Sequence, residues 1–247
     1  MFQRNAMHLI PAALVVGTVH YASTSAFFAC PRIPPDKAGN LGYLLAGGVG
    51  VTICAMLGLY CAAVDPESRA LWHSAATRMN GTAPATDTLM AWFLGYQTWN
   101  LGVTLAIPEL QSWTNVLHHT GAIVATLVAC RPYANAYVPF FFGIVELSSI
   151  PLTAADMARD LLLPSPAVKT AAKGLFRLSF VALRNVAWLA VGTSLARDIV
   201  AQSRESGTSP VFALTLLGCF TGLQFFWGWK IVRRFLASRA QAPVPNV

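Results

Sequence analysis

Very few residues in this sequence could carry acid–base chemistry inside an apolar environment. Glu146 is the only acid deep within an apolar run, and Arg184 the only base at comparable depth. His118 and His119 stand side by side in another run, and Asn100 and Gln224 are strong neutral polar groups in two more. Ionisable side chains are costly in hydrocarbon and mark functional sites by default. A histidine could serve as general base or nucleophile, and an acid beside it could orient the ring and stabilise the imidazolium. Arg184, Asn100 or Gln224 could then hold a developing oxyanion. Glu146 and Ser149 are i,i+3, and Tyr96 and Asn100 are i,i+4, so each pair shares a helix face. Adjacent histidines diverge by about 100°, so one can face a cavity while the other orients it or bonds a neighbouring helix. Plainer readings stand beside these: Glu146 and Arg184 brace each other, and Asn100 and Gln224 make hydrogen bonds between helices.

The elements that must position these groups follow from composition. The chain has 247 residues, 55% hydrophobic and only 11% charged, with a mean hydropathy of +0.53. A soluble domain carries about 25% charged residues, so the expected class is all-α and polytopic in the membrane. About 20 apolar residues cross the hydrocarbon as a helix. Seven stretches qualify, near 8–30, 40–63, 86–107, 110–130, 134–155, 174–196 and 209–231. The connectors Pro108-Glu109 and Arg131-Pro132-Tyr133 are so short that the helices they join should pack as antiparallel neighbours. Longer loops are expected near 64–85, 156–173 and 197–208, Pro151 should kink the fifth span just after Glu146, and a disordered tail should follow Leu236. Cys30, Cys54, Cys61, Cys130 and Cys219 show no CxxC spacing and read as small core residues, with neither disulfide framework nor zinc site.

The net charge is +7, and it is explained by orientation rather than by nucleic acid as a partner. Ten Lys and Arg gather on one side of seven spans and six on the other. That bias puts the C-terminus in the cytosol and the N-terminus in the lumen. Residues 1–26 also have the pattern of a signal peptide. Cleavage there would invert every later loop against the charge bias, so an uncleaved first helix is preferred. The sequon Asn80-Gly81-Thr82 then falls in a lumenal loop as a glycosylation candidate. Counted from the cytoplasmic ends, Asn100, His118, His119, Glu146, Arg184 and Gln224 all lie about seven to ten residues in, a level about 10–15 Å deep at 1.5 Å per residue.

These residues carry a resemblance to the TLC-domain family, which includes the ceramide synthases. The elements are Gly95-Tyr96 before Asn100, Leu117-His118-His119, Glu146-Leu147-Ser148-Ser149-Ile150-Pro151, and Leu223-Gln224-Phe225-Phe226-Trp227 ahead of a basic tail. The Phe176-to-Arg184 stretch is similar to the family's penultimate span. The resemblance covers roughly 40–236. It implies an N-terminal helix and loop (1–39), a six-helix transmembrane barrel (40–236) and a short cytosolic tail (237–247). It also implies a location in the endoplasmic reticulum or another endomembrane, and an acyl-chain cavity open to the cytosol. The ceramide synthases continue past the His pair with a His-Asp and a further Asp three residues on. Val145, Glu146 and Ser149 stand at those positions here. The pattern therefore looks nearer the non-ceramide-synthase branch.

The resulting expectation is a lipid-metabolism protein, with acyl-CoA-dependent N-acyltransfer as the candidate reaction. His118, His119 and Glu146 are the candidate catalytic residues, and Asn100, Ser149, Arg184 and Gln224 the candidate substrate-binding ones. Lys169, Lys173, Arg177, Lys230 and Arg233 could attract the phosphates of acyl-CoA as co-substrate. The alternative is a non-catalytic lipid-binding protein or regulator of membrane lipid composition. Membrane lipids are the expected partners, a homodimer stays open, and no cofactor is expected. A retinal protein is excluded because Lys230 lies at a span end. Haem and metal chemistry lack ligands on facing spans, and no inverted repeat marks a transporter.

Overall fold

The computed structural model describes residues 2–131, 133–160 and 165–240. Pro132 of the expected connector, part of the expected 156–173 loop and residues 241–247 of the expected tail lie outside the described residues. Proline, serine and aspartate at the starts set the helix boundaries. Pro35, Pro66, Pro84 and Pro166 open helices, where the missing N–H has no intrahelical partner to lose. The long elements are α1 (Phe2–Phe28), α2 (Pro35–Ala63) and, after two short helices α3 (Pro66–Ala70) and α4 (Ala75–Asn80), α5 (Pro84–Ala106) and α6 (Trp113–Ala129). They are followed by α7 (Asn135–Arg159), α8 (Pro166–Ser206) and α9 (Val211–Ala240). Among the described residues no strand occurs.

Each expected span is helical, but the loops shrink. The region expected as a loop over 64–85 holds α3, α4 and the 3₁₀ turn Leu71–His73. Asp65 caps α3 by accepting from the Ser68 N–H at 2.8 Å, and Ser74 and Thr77 form a reciprocal capping box on α4. α8 is 41 residues long, so most of the loop expected over 197–208 is helix, ended by Gly207 at φ 67°. α9 continues through Ala240, past the expected end at Leu236.

Helix contacts close a ring: α2 packs on α5, α5 on α6, α6 on α9, α9 on α8, α8 on α7, and α7 back on α2. α1 lies outside it against α2 and α5, burying Ala12 and Val16. Among the described residues α6 and α7 do not pack as the close pair expected. α7 instead reaches across to α2, where Gly58 and Gly143 let two backbones touch. A Cβ on Gly58 would lie 2.6 Å from the Gly143 Cα, and one on Gly143 would lie 2.5 Å from the Gly58 Cα. α6 and α7 are left on opposite walls of a cavity.

Four helices, α2, α7, α8 and Val211–Ala237 of α9, are long and apolar enough to cross a bilayer. The outer face carries large apolar side chains such as Leu178, Trp113 and Trp229. A multi-pass membrane protein follows, since water would not tolerate so continuous an apolar exterior. α6, at 17 residues, is about 26 Å long against a hydrocarbon core of about 30 Å. Cys54 and Cys61 are buried as expected of small core residues, but Cys219 is exposed on α9.

Candidate functional site

The site is built where two facing helices leave α geometry together. In α7, a wide π turn over Pro139–Gly143 is followed by a tight 3₁₀ stretch over Ile144–Ser148 that carries Glu146. In α8, Val181–Ala187 forms a π turn that carries Arg184. Such turns interrupt the regular ladder and re-aim side chains, and they concentrate at functional sites. The expected kink after Glu146 is thus replaced by an irregular stretch before and around it. Pro151 stands third in the α segment that follows, where it lacks the N–H that an α-type bond to the Leu147 carbonyl would need.

Glu146 and Arg184 form a buried ion pair, Nη2 to Oε2 at 3.2 Å. The Ser149 hydroxyl donates to Glu146 Oε2 at 2.8 Å. Arg184 donates from Nε to Ser148 Oγ at 2.7 Å and from Nη2 to Ser149 Oγ at 2.9 Å. Ser148 is fully buried and donates in turn to the Val145 carbonyl at 2.8 Å. The pair is therefore internally satisfied, as a buried charge pair must be to persist, and it ties α7 to α8. Glu146 makes these bonds and none to either histidine, so the expected orienting acid for His118 or His119 is already engaged elsewhere.

The two histidines diverge as successive helical residues must. His119 points toward α5, where its Nδ1 donates to Gln97 Oε1 at 2.7 Å. His118 faces inward among the rings of Trp227, at 5.3 Å, and Phe220, at 6.0 Å. Its Nδ1 is buried without a hydrogen-bond partner, as is Oε1 of Gln224.

One cavity of about 120 Å³ joins these groups. His118, Glu146, Arg184 and Gln224 line one end of it. Ala122, Ala125 and Ala129 continue the wall along α6, and Tyr133, Tyr137 and Ile199 line the other end. From His118 to Ala129 is 11 residues, or about 16 Å of helix. The void thus extends along α6, polar at one end and apolar along its length. Among the described residues no group of three His, Cys, Asp or Glu side chains could hold a metal ion.

Of the residues expected to share one site, His118, Glu146, Ser149, Arg184 and Gln224 come together, while His119 and Asn100 do not join them. Asn100 is buried in a separate cluster, where Tyr43 donates to its Oδ1 at 2.8 Å and its Nδ2 donates to the Tyr96 hydroxyl at 3.1 Å. Trp99 stacks beside both tyrosines. Asn80 is exposed at the end of α4, its Nδ2 donating to Gln202 Oε1 at 3.0 Å. Sequence reasoning missed Gln97 and Ser148. The signal for Gln97 was available: an amide in an apolar run, which burial obliges to find a partner.

The basic ends of α8 and α9 meet. Arg177 lies 5.3 Å over the Phe235 ring, and Lys230 lies 4.4 Å over Phe226. No curated protein matches the chain. A family model described as the TLC domain matches residues 48–233, which runs from the middle of α2 to α9 and takes in every described residue lining the cavity. The chain therefore belongs to the TLC-domain family of membrane proteins.

Proposed function

We propose that the protein is a lipid-metabolism protein of the endoplasmic reticulum or another endomembrane, binding one acyl chain in the cavity. The observation that carries this reading is the pair of unpartnered buried atoms, His118 Nδ1 and Gln224 Oε1, at the polar end of an apolar void. Buried polar atoms of this kind call for a partner, and a lipid with a donor-bearing head group would satisfy both. All seven long helices span the bilayer in this reading, with the N-terminus lumenal and the C-terminus cytosolic. The basic ends at Lys169, Lys173, Arg177, Lys230 and Arg233 then face acyl-CoA from the cytosol.

The reaction that fits is N-acyl transfer of ceramide-synthase type. The amine of a sphingoid or similar acceptor attacks the thioester carbonyl of acyl-CoA, and the C–N bond forms as the C–S bond breaks. His118 accepts the amine proton and returns it to the departing thiolate. Gln224 positions the amine through its carbonyl oxygen, and the Arg184 guanidinium stabilises the oxyanion. A second reading, lipid binding without turnover, is favoured by one specific observation: Glu146 is committed to Arg184 and Ser149, which leaves His118 without an orienting acid.

Purified protein would be extracted for bound lipid and assayed for acyl transfer from acyl-CoA to sphingoid and other amines. The catalytic reading expects turnover that His118→Ala abolishes and His119→Ala reduces only through stability. Retained acyl lipid with no turnover on any acceptor would select the binding reading. Absence of acyl lipid together with absence of turnover would overturn both.

A further inference from the structure

At the far end of the cavity stands a clamp whose parts come from three separate segments. Asp198 on α8 accepts from Arg78 of α4 in a two-pronged pair, Nε to Oδ2 at 2.6 Å and Nη2 to Oδ1 at 3.0 Å. Tyr137, at the start of α7, donates to the same Oδ2 at 2.6 Å, and its hydroxyl lies 3.0 Å from Ser194 Oγ. Trp72 packs edge-on against the Tyr137 ring at 5.1 Å. The chain beside it is stitched down by backbone, Ala134 N–H to the Met79 carbonyl at 2.7 Å, and by Asn135 Nδ2 to the Gly81 carbonyl at 3.0 Å. Tyr137, Met79 and Ile199 form one buried cluster, each at most 1% exposed. Tyr137 and Ile199 are at once members of this clamp and walls of the cavity.

We infer that Tyr137 and Ile199, locked by Arg78 and Asp198, are the floor that sets the longest acyl chain the protein accepts. This rests on the acyl-chain reading above. The head of the lipid is fixed at His118 and Gln224, and the lining from there to Tyr137 and Ile199 is apolar, so added chain length is accommodated toward the floor. A hydrogen-bonded ring held by a two-pronged ion pair is a stiff stop. Close-packed interiors do not yield to an extra methylene without strain. The α3–α4 segment thereby controls selectivity without touching the reacting end.

Two opposite variants test it on the full-length protein, with bound acyl chains measured by mass spectrometry after purification from one host. Ile199→Ala removes three carbons from the floor and should lengthen the mean bound chain by about two to three carbons. Ala213→Leu adds three carbons to the wall near the same end and should shorten it by a similar amount. Folding of each variant is checked by circular dichroism and gel filtration, and the two opposite shifts keep the test usable if one variant fails to fold. Acyl lipid on the wild type with the same chain-length distribution in the folded variants would overturn the floor assignment while leaving the acyl-chain reading intact. No acyl lipid on the wild type would overturn that reading and this inference with it.

Discussion

Replacing either partner of the Glu146–Arg184 pair should cost far more than replacing both. The two charges sit 3.2 Å apart with side chains 6–7% exposed. At an effective dielectric near 20 their attraction is about 5 kcal/mol, and it is largely offset by the cost of desolvating each ion. Arg184→Met leaves the Glu146 carboxylate buried with only the Ser149 hydroxyl, and removing one partner of such a pair costs about 3–5 kcal/mol. Glu146→Gln strands the guanidinium between Ser148 and Ser149 and should cost a similar amount. In the double variant no uncompensated charge remains, so its loss should be smaller than either single loss, and the coupling energy should then exceed either single loss, at about 3 kcal/mol or more. Equilibrium unfolding of detergent-solubilised protein, followed by circular dichroism across all four proteins, reads this directly. Single losses below about 1 kcal/mol that simply add in the double variant would refute the brace.

Three further outcomes follow from the geometry. Gly143→Ala pushes a methyl into the Gly58 backbone and should destabilise the fold by several kcal/mol, because no flexible side chain can yield; a thermal midpoint within a degree of wild type would contradict the close crossing. His119→Ala leaves buried Gln97 unsatisfied and should cost about 1–3 kcal/mol, while His119→Leu combined with Gln97→Leu should recover most of it; failure of the pair to couple in thermal melts would dissolve this contact. If the α4 end is lumenal, Asn80 should be glycosylated in a eukaryotic host, giving a gel shift removed by glycosidase and absent in Asn80→Gln. An unshifted wild-type band would count against that orientation.

Much of the helical scaffold was legible because apolar length and proline placement are local signals. Pro84 and the Ala106 boundary, for instance, sit within two residues of the expected 86–107 span. The divergence of His118 and His119 was also legible, since it follows from helical pitch alone. What was not legible depended on partners distant in sequence. The i,i+4 spacing put Tyr96 beside Asn100, but nothing nearby announces that Tyr43, distant in sequence, takes up the same amide, so its depth suggested a site that its contacts deny. Nothing around Pro132 announces that α7 leaves α6 for α2, because that choice is made by Gly58 and Gly143, 85 residues apart. Asp198 read as a loop residue because α8 outruns its apolar stretch, which hid the clamp with Arg78 and Tyr137. The π and 3₁₀ turns escape a 3.6-residue reading by their nature, yet Glu146 and Arg184 are carried on such stretches where they meet.

The length of α8 bears on which membranes the protein can inhabit. Its 41 residues amount to about 60 Å of rod, roughly twice the hydrocarbon thickness of a bilayer. A membrane that thins or thickens by a few ångströms still meets helix at both faces of this element. α6, with 17 residues, has no such reserve. In the proposed seven-span arrangement, a change of thickness would therefore shift the ends of α6, the wall that carries His118, past the bilayer faces, while α8 stays helical through both. In that arrangement bilayer thickness, which differs among the membranes of the secretory route, bears first on the α6 side of the cavity.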